Sequence, residues 1–127
     1  MVLNCLYVAE TEKMGKGVFT SAGIDADEIV EIAEVIVLSA DDKLLLNKTK
    51  LKDYIFDWGY DHQACCMALG NVPIYNHSAK ANCEYSMDFE LNIIIVKTIR
   101  EIESGEELFI NYMGNWNDDK PVWFDAV

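Results

Sequence analysis

The sequence has few of the residue types that build metal and nucleophilic sites. Of its 127 residues, two are histidines and four are cysteines, and no two cysteines form a C-x-x-C pair. Neither histidine stands at a zinc-like spacing from the cysteines. We therefore expect no metal, and we expect Cys5, Cys65, Cys66 and Cys83 to be reduced, structural thiols of a cytosolic protein.

Long apolar runs, repeats and linkers are also missing. No segment approaches the roughly 18 uncharged residues of a membrane span, and the N-terminus lacks the pattern of an export signal. There is no internal repeat, low-complexity tract or Pro- and Ser-rich linker. We expect one soluble, unexported domain over residues 1–127, located in the cytoplasm, or in a host nucleus if the source is viral or uses a non-classical secretion route.

Positive charge is scarce. Lys and Arg number 10 against 22 Asp and Glu, which gives a formal net charge of -12. Such a chain repels nucleic acid phosphates and anionic membranes, so neither is expected as a direct partner. A basic protein or peptide would complement it, although the acidity is equally consistent with a role in solubility alone.

The apolar pattern favours a mostly β domain. Five segments carry β-branched or apolar runs bounded by turn residues and are predicted as strands: 2–8, 28–38, 64–69, 91–96 and 106–112. A loop with Gly15, Gly17 and Gly23 is expected between the first two. Residues 51–58 fit a helix face and a strand face equally, so periodicity leaves both open. The tail, 113–127, is expected to be irregular.

Three short elements are candidates for binding or chemistry. They are MGKGVF at 14–19, IYNHS at 74–78 with NCEY at 82–85, and GEELFINY at 105–112. Glycines let a backbone approach a ligand closely, but a G-x-G without a following helix is most often a plain turn. Asn, His and Ser commonly close turns, and a strand tyrosine is more often core than catalytic. Each element alone is therefore weak evidence for a functional site.

In this order and spacing, the three elements together resemble the SET-domain protein lysine methyltransferases, including compact viral and bacterial ones. The resemblance implies S-adenosylmethionine as cofactor. It implies that Lys16 and Gly17 contact the methionine part and that Asn76 and His77 anchor the cofactor around its adenine and amine. It also implies that Tyr112 contacts the cofactor and is the catalytic tyrosine beside the transferring methyl.

The same resemblance implies a fold of small twisted sheets with a C-terminal pseudoknot, which brings positions 76 and 112 together. It favours a strand for the ambiguous stretch at 51–58. Methyl transfer needs alignment and a neutral amine, and an apolar channel beside a sulfonium favours the uncharged lysine. The predicted walls of this channel are Tyr75, Tyr85, Phe109, Ile110 and Trp116, with Tyr112 and Trp123 as further aromatic candidates.

Several positions depart from the family pattern. Ala79 and Ala81 stand where many members have Cys and Pro, and Val72 stands where a second glycine is common. The chain also lacks a cysteine-rich zinc segment. Two alternatives stay open: a SET-like binding module without turnover, and a β-rich interaction domain that binds no cofactor. A homodimer is also left open, with no sequence feature that identifies its interface.

Overall fold

The structure, a computed structural model, describes residues 1–111. Within that range the regular elements are β1 (Leu6–Glu10), β2 (Lys16–Thr20), β3 (Ile29–Leu38), α1 (Ala40–Leu46), β4 (Ile55–Trp58), β5 (Ala64–Ala68), β6 (Asn76–His77), β7 (Cys83–Asp88), β8 (Ile93–Thr98) and β9 (Glu107–Ile110). Two 3-10 helices, Lys50–Asp53 and Val72–Ile74, precede β4 and β6. The expectation of a mostly β domain is confirmed.

The described strands form two sheets. One has the order β1-β2-β9-β6 and the other β4-β5-β3-β8-β7. Neighbouring strands are antiparallel except for β6 and β9, which run parallel. The strand nearest the C-terminus in this range, β9, therefore lies between two strands that precede it by about 30 and 90 positions in the chain.

Within residues 1–111, one hydrophobic core joins both sheets. In β8 the alternation of β-branched residues buries Ile94, Val96 and Thr98 while the residues between them are half-exposed. The same cluster takes in Leu108 and Ile110 from β9. Because side chains alternate between the faces of a strand, this burial fixes the register of β9 against its neighbours.

Two parts of the chain differ from the expectations. The segment expected as a glycine loop contains β2, whose residues pair with β1 on one side and β9 on the other, so the loop expectation is wrong for Lys16–Thr20. The ambiguous stretch at 51–58 divides: its first residues form the end of a 3-10 helix, and Ile55–Trp58 form a strand. None of the helices within residues 1–111 has the length and hydropathy needed to cross a membrane.

Candidate functional site

The topology brings the three sequence elements to one place. β9 pairs with β2 through Val18↔Leu108 and Phe19↔Glu107, and with β6 through Asn76↔Phe109 and His77↔Ile110. The beginning of β2, the Asn-His pair and the GEEL strand are therefore neighbours. Residues as far apart in sequence as 16 and 109 share one small region of the molecule.

Asn76 is held by two acceptors from different elements. Its Nδ2 donates to the carbonyl oxygen of Lys16 at 3.1 Å and to Oε2 of Glu107 at 2.7 Å. A carbonyl and a carboxylate can only accept, so the NH2 group of the amide must face them. The side-chain oxygen of Asn76 is then the atom that can serve a ligand as an acceptor.

Gly17 leaves room for this arrangement. A Cβ added at this buried position would overlap Oε2 of Glu107 and lie 2.9 Å from Nδ2 of Asn76. The side chains of Asn76 and Glu107 therefore pack directly on the main chain of Gly17, which is possible only without a Cβ. This contact gives a physical reason for glycine here, independent of any resemblance.

Glu107 is a site residue that the sequence did not single out. It lies in β9, half-buried, and its carboxylate accepts from Asn76. A half-buried acidic side chain in a short strand needs donors nearby, because desolvation of an unpaired carboxylate is unfavourable. The sequence therefore indicated that Glu107 needs a donor. The donor, Asn76, could not be identified without knowing that β6 lies next to β9.

His77 is a neutral imidazole at neutral pH. The residue is half-buried, and burial lowers the pKa of His77 below its usual 6.5. The cause is desolvation, which disfavours the charged ring. A neutral ring beside the Asn76 amide does not repel a cationic ligand.

The segment after His77 fixes β9 in place. Asn82 is 2 % exposed, its Nδ2 donates to the carbonyl oxygen of Glu107 at 2.8 Å, and its Oδ1 accepts from the backbone N–H of Phe109 at 2.8 Å. The N–H of Ser78 donates to the carbonyl oxygen of Ile110 at 3.0 Å. The segment that follows the Asn-His pair is thereby joined to β9 at Glu107, Phe109 and Ile110.

The departures from the family pattern are accommodated by packing. Ala81, at the usual proline position, is 3 % exposed, and Val72, at the usual second glycine, is fully buried in the core. Val72 begins the 3-10 helix Val72–Ile74, which has Pro73 in its first turn. A small residue at 81 and an apolar one at 72 therefore fill space within the fold.

The predicted channel walls lie in different surroundings. Phe109 and Tyr85 are half-buried, and the Tyr85 ring packs edge-on against Phe56 with centroids 5.6 Å apart. Ile110 is fully buried. Tyr75 is also fully buried, and its hydroxyl donates to Oε1 of Glu31 at 2.8 Å, which ties this ring to the core.

The predicted catalytic Tyr112 lies outside the described residues, as do the predicted walls Trp116 and Trp123. The last described residue, Asn111, is buried and directly precedes Tyr112 in the chain. Asn111 follows Ile110, the partner of His77 in the parallel pairing, so the described part of the chain reaches the Asn-His pair one residue before Tyr112 in the sequence.

The comparisons with known proteins agree with this arrangement. The SET domain pattern matches residues 15–113. A fission yeast protein (Schizosaccharomyces pombe) named histone-lysine N-methyltransferase, H3 lysine-37 specific, is 32% identical over 122 residues, covering 94% of this chain and 82% of the relative.

The fold has a solved counterpart. A crystal structure from Plasmodium falciparum, described as a candidate histone methyltransferase, superimposes with a TM-score of 0.65 at 25% identity. The match covers 91% of this chain and 98% of the other. The expected fold of small twisted sheets is confirmed, and the chain belongs to the SET-domain family of protein-lysine N-methyltransferases.

Proposed function

We propose that this enzyme takes its methyl group from S-adenosylmethionine and transfers it to a lysine of a basic, histone-like protein. Lys16, Gly17, Asn76 and His77 hold the cofactor, and Tyr112 orients the lysine amine. Residues 1–127 act as one SET domain in this proposal. The observation that carries it is the contact of Asn76 and Glu107 with the bare main chain of Gly17.

The residues at this site fit the cofactor. Because Gly17 has no Cβ, the side chains of Asn76 and Glu107 lie directly against the main chain of β2, and the Asn76 amide is held there. The Asn76 side-chain oxygen is an acceptor suited to the ammonium group of an amino acid moiety, since both amide hydrogens are already committed. The neutral His77 adds no charge that would repel a sulfonium.

When bound, S-adenosylmethionine supplies a methyl group on a positively charged sulfur, which an amine displaces in line. Such a reaction needs no covalent enzyme nucleophile, so the task of the protein is alignment. Asn76 and Gly17 fix the donor end, and β9 carries the chain from the Asn-His pair towards Tyr112. The Tyr112 hydroxyl accepts a hydrogen bond from the amine and directs its lone pair.

The acceptor lysine must lose its proton before it reacts. A free lysine has a pKa of about 10.4, and removal from water lowers it because the charged form loses solvation. Tyr85 and Phe109, both half-buried, offer apolar surface for such a channel, with Trp116 as a predicted cover. Tyr75 and Ile110 are excluded from the proposed walls because both side chains are fully buried, and the Tyr75 hydroxyl is also bonded to Glu31.

The proposed substrate class has two supports. The net charge of -12 favours association with Lys- and Arg-rich chains through long-range attraction. The fission yeast relative is named for action on histone H3, and the Plasmodium counterpart is described as a candidate histone methyltransferase. A basic, histone-like protein is the substrate most consistent with both.

Calorimetric titration with S-adenosylmethionine tests the cofactor site. The variants are Asn76→Ala and Tyr112→Phe, with Asn47→Ala as control, because Asn47 is exposed at the end of α1. We expect the parent and Asn47→Ala to bind alike, Asn76→Ala to bind about tenfold more weakly, and Tyr112→Phe to keep most of its affinity while losing turnover.

The other outcomes point elsewhere. A folded parent that binds no S-adenosylmethionine contradicts the proposal. A parent that binds it but methylates none of a panel of basic proteins, histones included, supports the alternative of a SET-like binding module without turnover.

A further inference from the structure

We propose that Glu31 is a positioning residue, which sets the place of the Asn76–His77 pair through the hydroxyl of Tyr75 and the backbone of Asn71. The proposal rests on the cofactor site argued above. It assigns a task to a buried carboxylate on β3 that belongs to neither the cofactor contacts nor the predicted lysine channel.

The burial of Glu31 calls for a specific explanation. The side chain is 0% exposed, on a strand whose pairing with β8 shifts register between Ile29 and Glu31. An irregularity of this kind turns side chains relative to the regular alternation of a strand, and Val30 and Glu31 are consecutive yet both buried. The bulge therefore allows the carboxylate to enter the core.

The two carboxylate oxygens bind opposite ends of one short segment. Oε2 accepts from the backbone N–H of Asn71 at 2.7 Å, and Oε1 accepts from the hydroxyl of Tyr75 at 2.8 Å. Between these residues lies the 3-10 helix Val72–Ile74. The segment is thus fastened to β3 where it begins and where it ends.

Gly70 makes the approach at the first end possible. Its φ is +67°, and an added Cβ would overlap Oε2 of Glu31. Two independent constraints, backbone conformation and contact with the carboxylate, therefore require glycine immediately before Asn71. The chain turns directly over the Glu31 carboxylate.

The fastening acts on Asn76 because Tyr75 is its immediate neighbour. The strand that contains Asn76 and His77 is only two residues long, and among the strands described within residues 1–111 it pairs with β9 alone. So short a ladder has little capacity to fix its own position. A single peptide unit separates the anchored Tyr75 from Asn76, so the anchor helps to set the distances from the Asn76 amide to Lys16 and Glu107.

A role limited to filling the core would not favour a carboxylate. Buried ionisable groups are costly, and apolar residues of similar size often stabilise a core equally well or better. What the carboxylate adds is directional: two acceptors at a fixed spacing that specify one geometry for the segment 71–75. Loss of either bond leaves a buried donor unsatisfied and that geometry less well defined.

The test compares Tyr75→Phe and Glu31→Gln with Thr98→Val. Thr98 is an equally buried polar residue whose hydroxyl donates to the carbonyl oxygen of Asp25 at 2.6 Å and accepts from the N–H of Glu28 at 2.9 Å. The variant Thr98→Val therefore removes a buried hydroxyl outside the 70–77 segment and is the matched control. Each variant is titrated with S-adenosylmethionine and assayed for KM and kcat.

We expect Tyr75→Phe to weaken cofactor affinity about tenfold, seen in Kd and in KM, with kcat at saturating cofactor largely retained. Glu31→Gln keeps one acceptor and can donate to the Tyr75 oxygen, so it should lose less. The double variant Tyr75→Phe/Asn76→Ala should bind no more weakly than Asn76→Ala alone, because Tyr75 acts through Asn76.

Hydrogen exchange of the apo protein gives a readout that does not depend on the cofactor. The amide of Ser78, bonded to Ile110, and its neighbours in the Asn-His strand should exchange faster in Tyr75→Phe and Glu31→Gln but not in Thr98→Val. A parent that fails to bind S-adenosylmethionine would end the proposed cofactor site, while this exchange pattern would still decide the positioning role. Unchanged affinity with unchanged exchange, or the same changes in Thr98→Val, would overturn the proposal.

Discussion

At the scale of single residues, the site depends on the missing side chain of Gly17. The Glu107 and Asn76 side chains occupy the space that a methyl group would need. Glu107 is flexible enough to move away, so the cost of adding a methyl should appear in ligand binding more than in folding. A Cβ at position 17 would compete for the same volume with the side chains of Glu107 and Asn76, which are hydrogen-bonded to each other.

We predict that Gly17→Ala weakens S-adenosylmethionine binding about tenfold while changing the free energy of unfolding by less than about 1 kcal/mol. Gly23→Ala is the control, because an added Cβ there meets only the carbonyl oxygen of Ile102 at 3.7 Å. Neither glycine has a positive φ. Equal affinities of the two variants for S-adenosylmethionine, measured by calorimetry, would show that the close contact at Gly17 does not contribute to binding.

Glu31 should leave a signature in the dependence of stability on pH. Burial raises the pKa of Glu31 above its usual 4.5; the bonds from Asn71 and Tyr75 and the N-terminal ammonium act in the opposite direction. A raised pKa in the folded state means that this contribution to stability is full below pH 4.5 and is lost as the pH rises through the folded-state value.

Because glutamine does not ionise, Glu31→Gln escapes that loss. We therefore predict that the melting temperature of Glu31→Gln, taken relative to the parent, rises as the pH is raised from below 4.5 towards neutrality. Thermal denaturation across this range measures the difference. A difference that stays constant with pH would mean that the Glu31 carboxyl titrates no differently in the folded and unfolded chains.

The residues of the site were predictable to different degrees. Asn76, His77 and Gly17 stand in short motifs, so a resemblance was enough to single them out. Glu107 and Glu31 were not identified, because their partners are 31 and 44 residues away along the chain and become neighbours only through the sheet order. Tyr75 was expected in the channel, and only its bond to Glu31 reveals its place in the core.

At the scale of elements, β9 is the strand on which the site is assembled. It pairs with β2 and β6, and Asn82 bonds its backbone at Glu107 and Phe109. The buried Asn82 side chain thus takes the place of a strand partner for these two backbone groups. The position of β9 determines how the chain leads towards Tyr112.

Replacement of Asn82 by Ala should therefore destabilise the fold and reduce turnover together. Two partly buried backbone groups, the Glu107 carbonyl and the Phe109 N–H, would lose their partners, at a cost of about 2–4 kcal/mol in the free energy of unfolding. Urea denaturation measures this cost, with Asn47→Ala as an exposed control. A loss within the error of the control would mean that β9 is held in place without Asn82.

Strands with a strong apolar pattern were predictable as elements. β3, β5, β8 and β9 were expected within a few residues of their observed bounds, whereas β1 begins and ends later than expected. β2 was missed because Gly17, together with Gly15 just before the strand, suggested a loop. β7 was missed because CEYSMD mixes polar residues into an edge strand. The helix α1 buries none of its seven residues, so it has no amphipathic signal and rests on its Ser39 cap.

At the scale of the whole molecule, the order of strands converts three weak local motifs into one site. No single motif specifies that β9 lies between β2 and β6. The resemblance to a known family supplied only the expectation that a pseudoknot brings positions 76 and 112 together. Net charge acts at the same scale. The 22 acidic residues outnumber the 10 basic ones, and the resulting negative electrostatic potential favours basic partners.

The most direct test of the account is methyl transfer itself. The parent, Tyr112→Phe and Asn47→Ala are incubated with isotopically labelled S-adenosylmethionine and a histone mixture, and tandem mass spectrometry locates the label. We predict labelled methyl groups on lysine side chains with the parent and with Asn47→Ala, and at most a trace with Tyr112→Phe. A folded parent that binds S-adenosylmethionine yet leaves every lysine unlabelled, or an undiminished signal from Tyr112→Phe, would contradict the account.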